Sequence, residues 1–92
     1  MLQMNGNQID LVALAKAGDR SAMHDLYERN RSRIFSLAYR YAGNVADAED
    51  ILQDVFVKIQ KRLGALHDRA KLEGWIHAIA RNTIIDHYRT RR

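Results

Sequence analysis

The chain has 92 residues, 47% of them hydrophobic and 28% charged, which is room for a single small domain and too rich in apolar residues for a disordered tail. It contains neither proline nor cysteine, so disulfide scaffolds, cysteine-ligated zinc fingers and iron–sulfur sites are excluded. Lys and Arg outnumber Asp and Glu by 15 to 11, and the distribution is uneven: residues 29–40 carry +4, residues 47–54 carry −4 and residues 81–92 carry +3. Such a pattern suits one face for a cationic partner and another for phosphates; acids early and bases late in helices produce a similar pattern with no partner at all. The first ten residues have no basic n-region, and no apolar run approaches the ~20 residues of a membrane span, so no export or membrane insertion is expected.

No stretch alternates as a strand would, whereas helical spacing runs through the chain. A short first helix is expected over residues 8–17, with Ile9, Val12 and Ala13 on one side and Gly18 as its stop. Asp19 caps a long second helix over about 20–42, ended by Gly43-Asn44. Its apolar stripe is Met23, Leu26, Tyr27, Ile34, Leu37, Ala38 and Tyr41, with Phe35 and Tyr39 as a second strip; Arg29, Arg33 and Arg40 occupy the remaining side and are solvated unless a polyanion passes nearby. Asn44 caps a third helix over about 45–63, with Asp47 at the third position completing a capping-box-like pair. Ala48, Ile51, Leu52, Val55, Phe56, Ile59 and Leu63 form its core face, Gly64 ends it, and residues 64–71 read as a loop. The fourth helix, about 72–90, turns Leu72, Trp75, Ile76, Ile79 and Thr83 inward. The expected fold is all-α, a compact bundle of three main helices plus a short N-terminal one.

Two helices carry stripes that a core does not need. On the third, Asp50, Gln53, Asp54 and Val57 follow the i, i+3, i+4, i+7 rule away from the core face, with Asp47 close by. Carboxylates able to meet arginines around a dry valine contact have the form of a helix-docking surface. The alternative is that Asp47 and Asp50 stabilise the helix start and Asp54 pairs with Lys58 four residues on. On the fourth helix, His77, Arg81, Ile84, Tyr88 and Arg92 gather opposite the core stripe, with Asn82, Ile85 and Arg89 between. Arginines interleaved with flat rings suit a nucleic-acid strand, the guanidinium groups holding phosphates and the rings stacking on bases. The alternative is that Ile84, Ile85 and Tyr88 bury against the first helix or a partner protein.

Catalytic and metal signatures are missing. The histidines at 24, 67, 77 and 87 include no i, i+4 pair and no HExxH, and the acidic run 47–54 lacks the glycine and terminal Glu of a calcium hand. No glycine-rich phosphate loop or nucleophile elbow occurs, so no catalytic residue, metal or cofactor is expected.

Three motifs in order resemble those of bacterial RNA polymerase sigma factors, and the chain is similar to region 2 of their extracytoplasmic-function group. Leu14-Ala15-Lys16-Ala17-Gly18-Asp19 with Ala22 and Leu26-Tyr27 resembles the group's opening. Ala48-Glu49-Asp50-Ile51-Leu52-Gln53-Asp54-Val55-Phe56 resembles its AEDxxQExF stretch, and Trp75-Ile76, Ile79-Ala80-Arg81-Asn82, Asp86 and Arg89 resemble its WL..IARN...D..R run. The resemblance implies that residues 10–92 are region 2, preceded by a tail over 1–9, and that the second helical domain, which reads the −35 element, is absent past Thr90-Arg91-Arg92. It implies docking of Asp47, Asp50, Gln53, Asp54 and Val57 on the clamp helices of the largest polymerase subunit, in the bacterial cytoplasm. It also implies that the loop and fourth helix open the promoter −10 element and hold its non-template strand. His67, Asp68, Arg69 and Lys71 are the candidates for a flipped-base pocket, and His77, Arg81, Asn82, Tyr88 and Arg89 for the strand path. Trp75 has two readings, a wedge at the melting junction or a core side chain. An anti-sigma protein is a further expected partner.

The chain departs from the group at two places. Leu66 and Leu72 stand where aromatics often flank the loop, and Asp54 stands where Glu is usual, one methylene shorter. Rival readings are an interaction bundle held by an anti-sigma protein and a generic helix-turn-helix duplex reader; the eight-residue loop over 64–71 speaks against the latter.

Overall fold

The computed structural model describes residues 11–90, and both ends of its second helix and the start of its third have a local chemical cause. Helix α1 is seen over 11–16; Ile9 lies outside the described residues, as do the tail over 1–9, Arg91 and Arg92. Gly18, at φ 98°, turns the chain, and Asp19 Oδ1 accepts the Ala22 N–H at 3.0 Å to start α2, Arg20–Ala42. Gly43, at φ 78°, closes α2 with its N–H on the Tyr39 carbonyl at 2.9 Å, a left-handed C-terminal turn that any side chain would strain. Asn44 then caps α3, Val45–Arg62: its Oδ1 accepts the Asp47 N–H at 2.9 Å while its Nδ2 donates to the Asp47 carboxylate at 3.0 Å.

α3 ends one residue earlier than its apolar spacing predicts. Leu63 opens a 3-10 turn, Leu63–Ala65, and a second one, Arg69–Lys71, leads directly into α4, Leu72–Thr90. Residues 64–71 are therefore two tight turns around a short extended piece. Leu66 and Leu72, both buried, pin that segment at either end, and Lys16 Nζ donates to the Leu66 carbonyl at 2.7 Å from α1.

α2 and α3 pack as an antiparallel hairpin, and α4 lies mainly against α3. Ala48, Ile51, Leu52, Val55, Phe56, Ile59 and Leu63 are all buried, as their spacing requires, and meet Val12, Leu26, Ile34 and Ala38 together with Ile76, Ile79 and Ala80. Two buried polar side chains are satisfied locally. Asn30 donates to the Leu26 carbonyl and accepts from Arg33, and Thr83 donates to the Ile79 carbonyl and accepts from Lys58.

Three sequence expectations fail here. Ala13, expected beside Val12 on the packed side of α1, is exposed. Tyr41, expected in the α2 core stripe, is 54% exposed, because the buried stripe of α2 steps by four residues from Ala22 through Leu26, Asn30 and Ile34 to Ala38 and drifts past it. Ile84, expected on the outer face of α4, is buried at 3%, while Ile85 is 42% exposed. The inward face of α4 is wider than one stripe, and Ala80 and Ile84 extend it.

Candidate docking and nucleic-acid surfaces

The rotation of α3 that buries its core face turns Asp50, Gln53 and Val57 to solvent, with Val57 43% exposed. They do not form a bare ridge. Gln53, Phe56, Val57 and Gln60 make one wall of an open groove of about 440 Å³, and Arg20, Met23, His24 and Tyr27 of α2 make the other. Tyr27 stands edge-on to Phe56, with ring centroids 4.5 Å apart, so the two walls meet in an aromatic contact. The α2 wall was missed by sequence reasoning, because Met23 and Tyr27 fall on a core-spaced stripe and are in fact only partly buried. Their residue types on an inter-helix edge were the available signal. Beyond the groove, Arg31 donates to the Tyr27 hydroxyl at 3.3 Å and faces Glu49 at 3.7 Å. The Tyr27 hydroxyl, then Glu49, raise the pKa of this exposed guanidinium, which leaves it a fixed charge.

The remaining two members of the predicted docking stripe have intramolecular partners. Asp47 is held by the Asn44 cap. Asp54 does not pair with Lys58; its carboxylate meets His87 Nε2 of α4 at 2.8 Å, and Lys58 instead reaches Thr83 at 3.1 Å and Asp86 at 3.4 Å. The alternative reading of Asp54 and Lys58 as an i, i+4 pair is thereby overturned. Three polar contacts across the α3–α4 seam, made by Asp54 and Lys58, instead tie one helix to the flank of the other.

The predicted nucleic-acid residues divide along α4 and the turns before it. His67, Asp68 and Lys71 are exposed, and Asp68 shapes its own turn, its Oδ1 accepting the Ala70 N–H at 3.1 Å and its carbonyl the Lys71 N–H at 3.0 Å. Arg69 opens the second 3-10 turn. His77, Arg81, Asn82, Tyr88 and Arg89 are exposed on the outer side of α4. Tyr88 is oriented from outside its helix: its hydroxyl donates to the Tyr41 carbonyl and its ring stands edge-on to that of Tyr41, 6.4 Å between centroids. Trp75 is half-buried: it packs against the core and keeps part of its ring exposed, which accords with either of its two readings. Ile84, placed with this outer group by sequence, belongs to the core.

Among the described residues no group of three or more His, Asp or Glu is arranged to hold a metal ion, and no helix is long and apolar enough to cross a membrane.

Residues 26–92 match the family model of sigma-70 region 2. The ECF RNA polymerase sigma factor SigW of Bacillus subtilis (strain 168) is 34% identical over 77 residues, covering 84% of this chain and 41% of that protein. SigE, an ECF RNA polymerase sigma factor of Mycolicibacterium smegmatis, is 35% identical over 77 residues, covering 80% of this chain and 30% of its own length. The chain therefore spans well under half the length of these relatives. Among solved structures, an engineered region 2 of sigmaE in complex with GTAAAA superposes with a TM-score of 0.82 at 28% identity, covering 90% of this chain and 86% of that one.

Proposed function

The chain belongs to the sigma-70 region 2 family, and from that premise we propose that it docks on the clamp helices of RNA polymerase through α3 and engages the promoter −10 element through α4 and the turns before it. The observation that carries this reading is that one small bundle exposes two chemically different faces. An acidic and apolar one on α3 adjoins a groove, and a basic and aromatic one lies on α4. A solved relative of 28% identity, in complex with GTAAAA, supports the second half.

The proposed action is binding, with no covalent step. On the polymerase side Asp50 pairs with a clamp guanidinium, Gln53 hydrogen-bonds, and Val57 enters a dry contact at the mouth of the groove. On the DNA side Arg81 and Arg89 hold phosphates. Tyr88 and Asn82 meet unpaired bases of the non-template strand, and His67, Asp68, Arg69 and Lys71 surround an extruded base. Stacking contributes about 1–3 kcal/mol per base, available only when the strand is unpaired, so bound region 2 favours the open over the closed promoter. An anti-sigma protein would act by covering the same two faces. The site of action is the cytoplasm, where polymerase and promoter meet.

Asp50→Arg tests the docking half. Asp50 is exposed and outside the core, so helical content is expected to stay unchanged while capture by the isolated clamp coiled coil is lost. Undiminished capture overturns the assignment.

A further inference from the structure

Helix α1 takes no part in either face described above, yet its place is fixed. Val12 is fully buried, and Leu11 and Ala15 pack against the core. Its last turn is tied off by the Gly18 N–H on the Ala15 carbonyl and the Asp19 N–H on the Leu14 carbonyl, both at 3.0 Å. From that turn Lys16 reaches the connection between α3 and α4, where its Nζ donates to the Leu66 carbonyl at 2.7 Å, 50 residues along the chain. The hydrogen bond is short and charge-assisted, and the cation stands at a helix C-terminus, where the dipole favours it.

Leu66 is where the connection turns outward. Its backbone is extended, φ −80° and ψ 108°, between the two 3-10 turns, so its carbonyl lies outside any helical ladder and takes its partner from elsewhere. The Leu66 carbonyl and the His67 N–H belong to one planar peptide, so a held oxygen also fixes the direction in which His67 and Asp68 leave the core. The buried Leu66 and Leu72 side chains keep the two ends of the segment in place, but apolar contacts are non-directional. Hydrogen bonds inside the segment are local: the Leu66 N–H meets the Leu63 carbonyl at 3.0 Å, and the Ala70 and Lys71 N–H groups meet Asp68. They shape each turn without tying it to the rest of the molecule, which the Lys16 contact does.

We propose that Lys16 is a positioning residue for base recognition: from α1 it holds the Leu66 peptide, and with it His67 and Asp68, in the arrangement that accepts an extruded base. This role rests on the reading of residues 67–71 as the base pocket and deepens it by a residue that itself touches no DNA. A loop ordered before binding loses no affinity to ordering, and where only a fraction of molecules holds the competent arrangement, apparent affinity falls by that fraction. The cost falls on the extruded base alone, because phosphate contacts along α4 carry no base information and do not pass through this peptide. Lys16 therefore acts on sequence preference and leaves general strand affinity as it is.

The test compares the intact chain with Lys16→Met, which keeps most of the stem and removes the donor. Lys16 is exposed, so circular dichroism is expected to show the same helical content. Amide exchange is expected to quicken at Leu66 and Lys71 as the segment loosens. Enrichment from randomised single-stranded hexamers reads the base preference at each position. In the variant, preference is expected to fall at one position by about two- to tenfold, the range of a single net hydrogen bond, with affinity for oligo-dT unchanged by fluorescence anisotropy. Lys16→Arg is expected to restore the preference. A uniform loss over all sequences, oligo-dT included, overturns the role, since it makes Lys16 a phosphate contact. Unaltered preference in Lys16→Met also overturns it, and the pocket reading stands on its own if His67→Ala or Asp68→Ala flattens one position. If neither of those variants changes the preference, the pocket reading fails and the role of Lys16 with it.

Discussion

α3 and α4 are nearly equal in length and pack against each other, yet one declares its packing in its sequence and the other does not. Every apolar residue assigned to the α3 core face is buried, and the polar residues Asp50, Gln53 and Asp54 that fall outside it are exposed. α4 carries apolar side chains around most of its circumference, with Ile84 and Ile85 adjacent and about 100° apart. A helix with one packed face and one wet face fixes its rotation by composition. A helix that spends apolar side chains on two surfaces leaves its rotation to its neighbours, and here Ile84 packs inward and Ile85 outward.

That contrast can be broken by experiment, and core truncation gives the largest expected effect. Leu52→Ala removes a fully buried α3 side chain and is expected to cost about 2–5 kcal/mol in urea denaturation, most of the stability of so small a domain. Ile84→Ala is expected to fall in the same range of about 2–5 kcal/mol, whereas Ile85→Ala is expected to cost less than about 1 kcal/mol. Equal losses at 84 and 85 would show that α4 has no preferred rotation, and a larger loss at 85 would restore the outer placement of Ile84. The smallest effect sharpens the seam between the helices. His87→Ala removes the partner of the half-exposed Asp54 and is expected to cost about 0.2–1 kcal/mol, within the range of exposed ion pairs. A loss above about 2 kcal/mol would mean that the Asp54–His87 link is structural, which would take Asp54 out of the docking face.

The candidate site was legible to different depths for related reasons. Asp50, Gln53 and Val57 could be read directly, because spacing on a single amphipathic helix is enough to place them on one face. Asp54 shares that spacing, but its partner is 33 residues away on another helix, and no local rule pairs it with His87 over Lys58. The α2 wall of the docking groove was hidden for the opposite reason. Met23 and Tyr27 look like core residues and are half-buried, which is what the rim of a groove requires. Tyr88 was recognisable as an aromatic among arginines, but its orientation comes from Tyr41, 47 residues earlier, which itself had been assigned to the interior.

By itself the sequence determined the helices, their caps and stops, the buried face of α3 and the family, because each is set by residues within a few turns of one another or by motifs in linear order. Only the tertiary structure decided which face of α4 turns inward, that Asp54 and Lys58 reach across to α4 and not to each other, and that Lys16 of α1 holds the Leu66 carbonyl. Those outcomes depend on the relative rotation and offset of helices in contact. Packing of the whole core selects these, and local spacing constrains them only where a helix has a single apolar side.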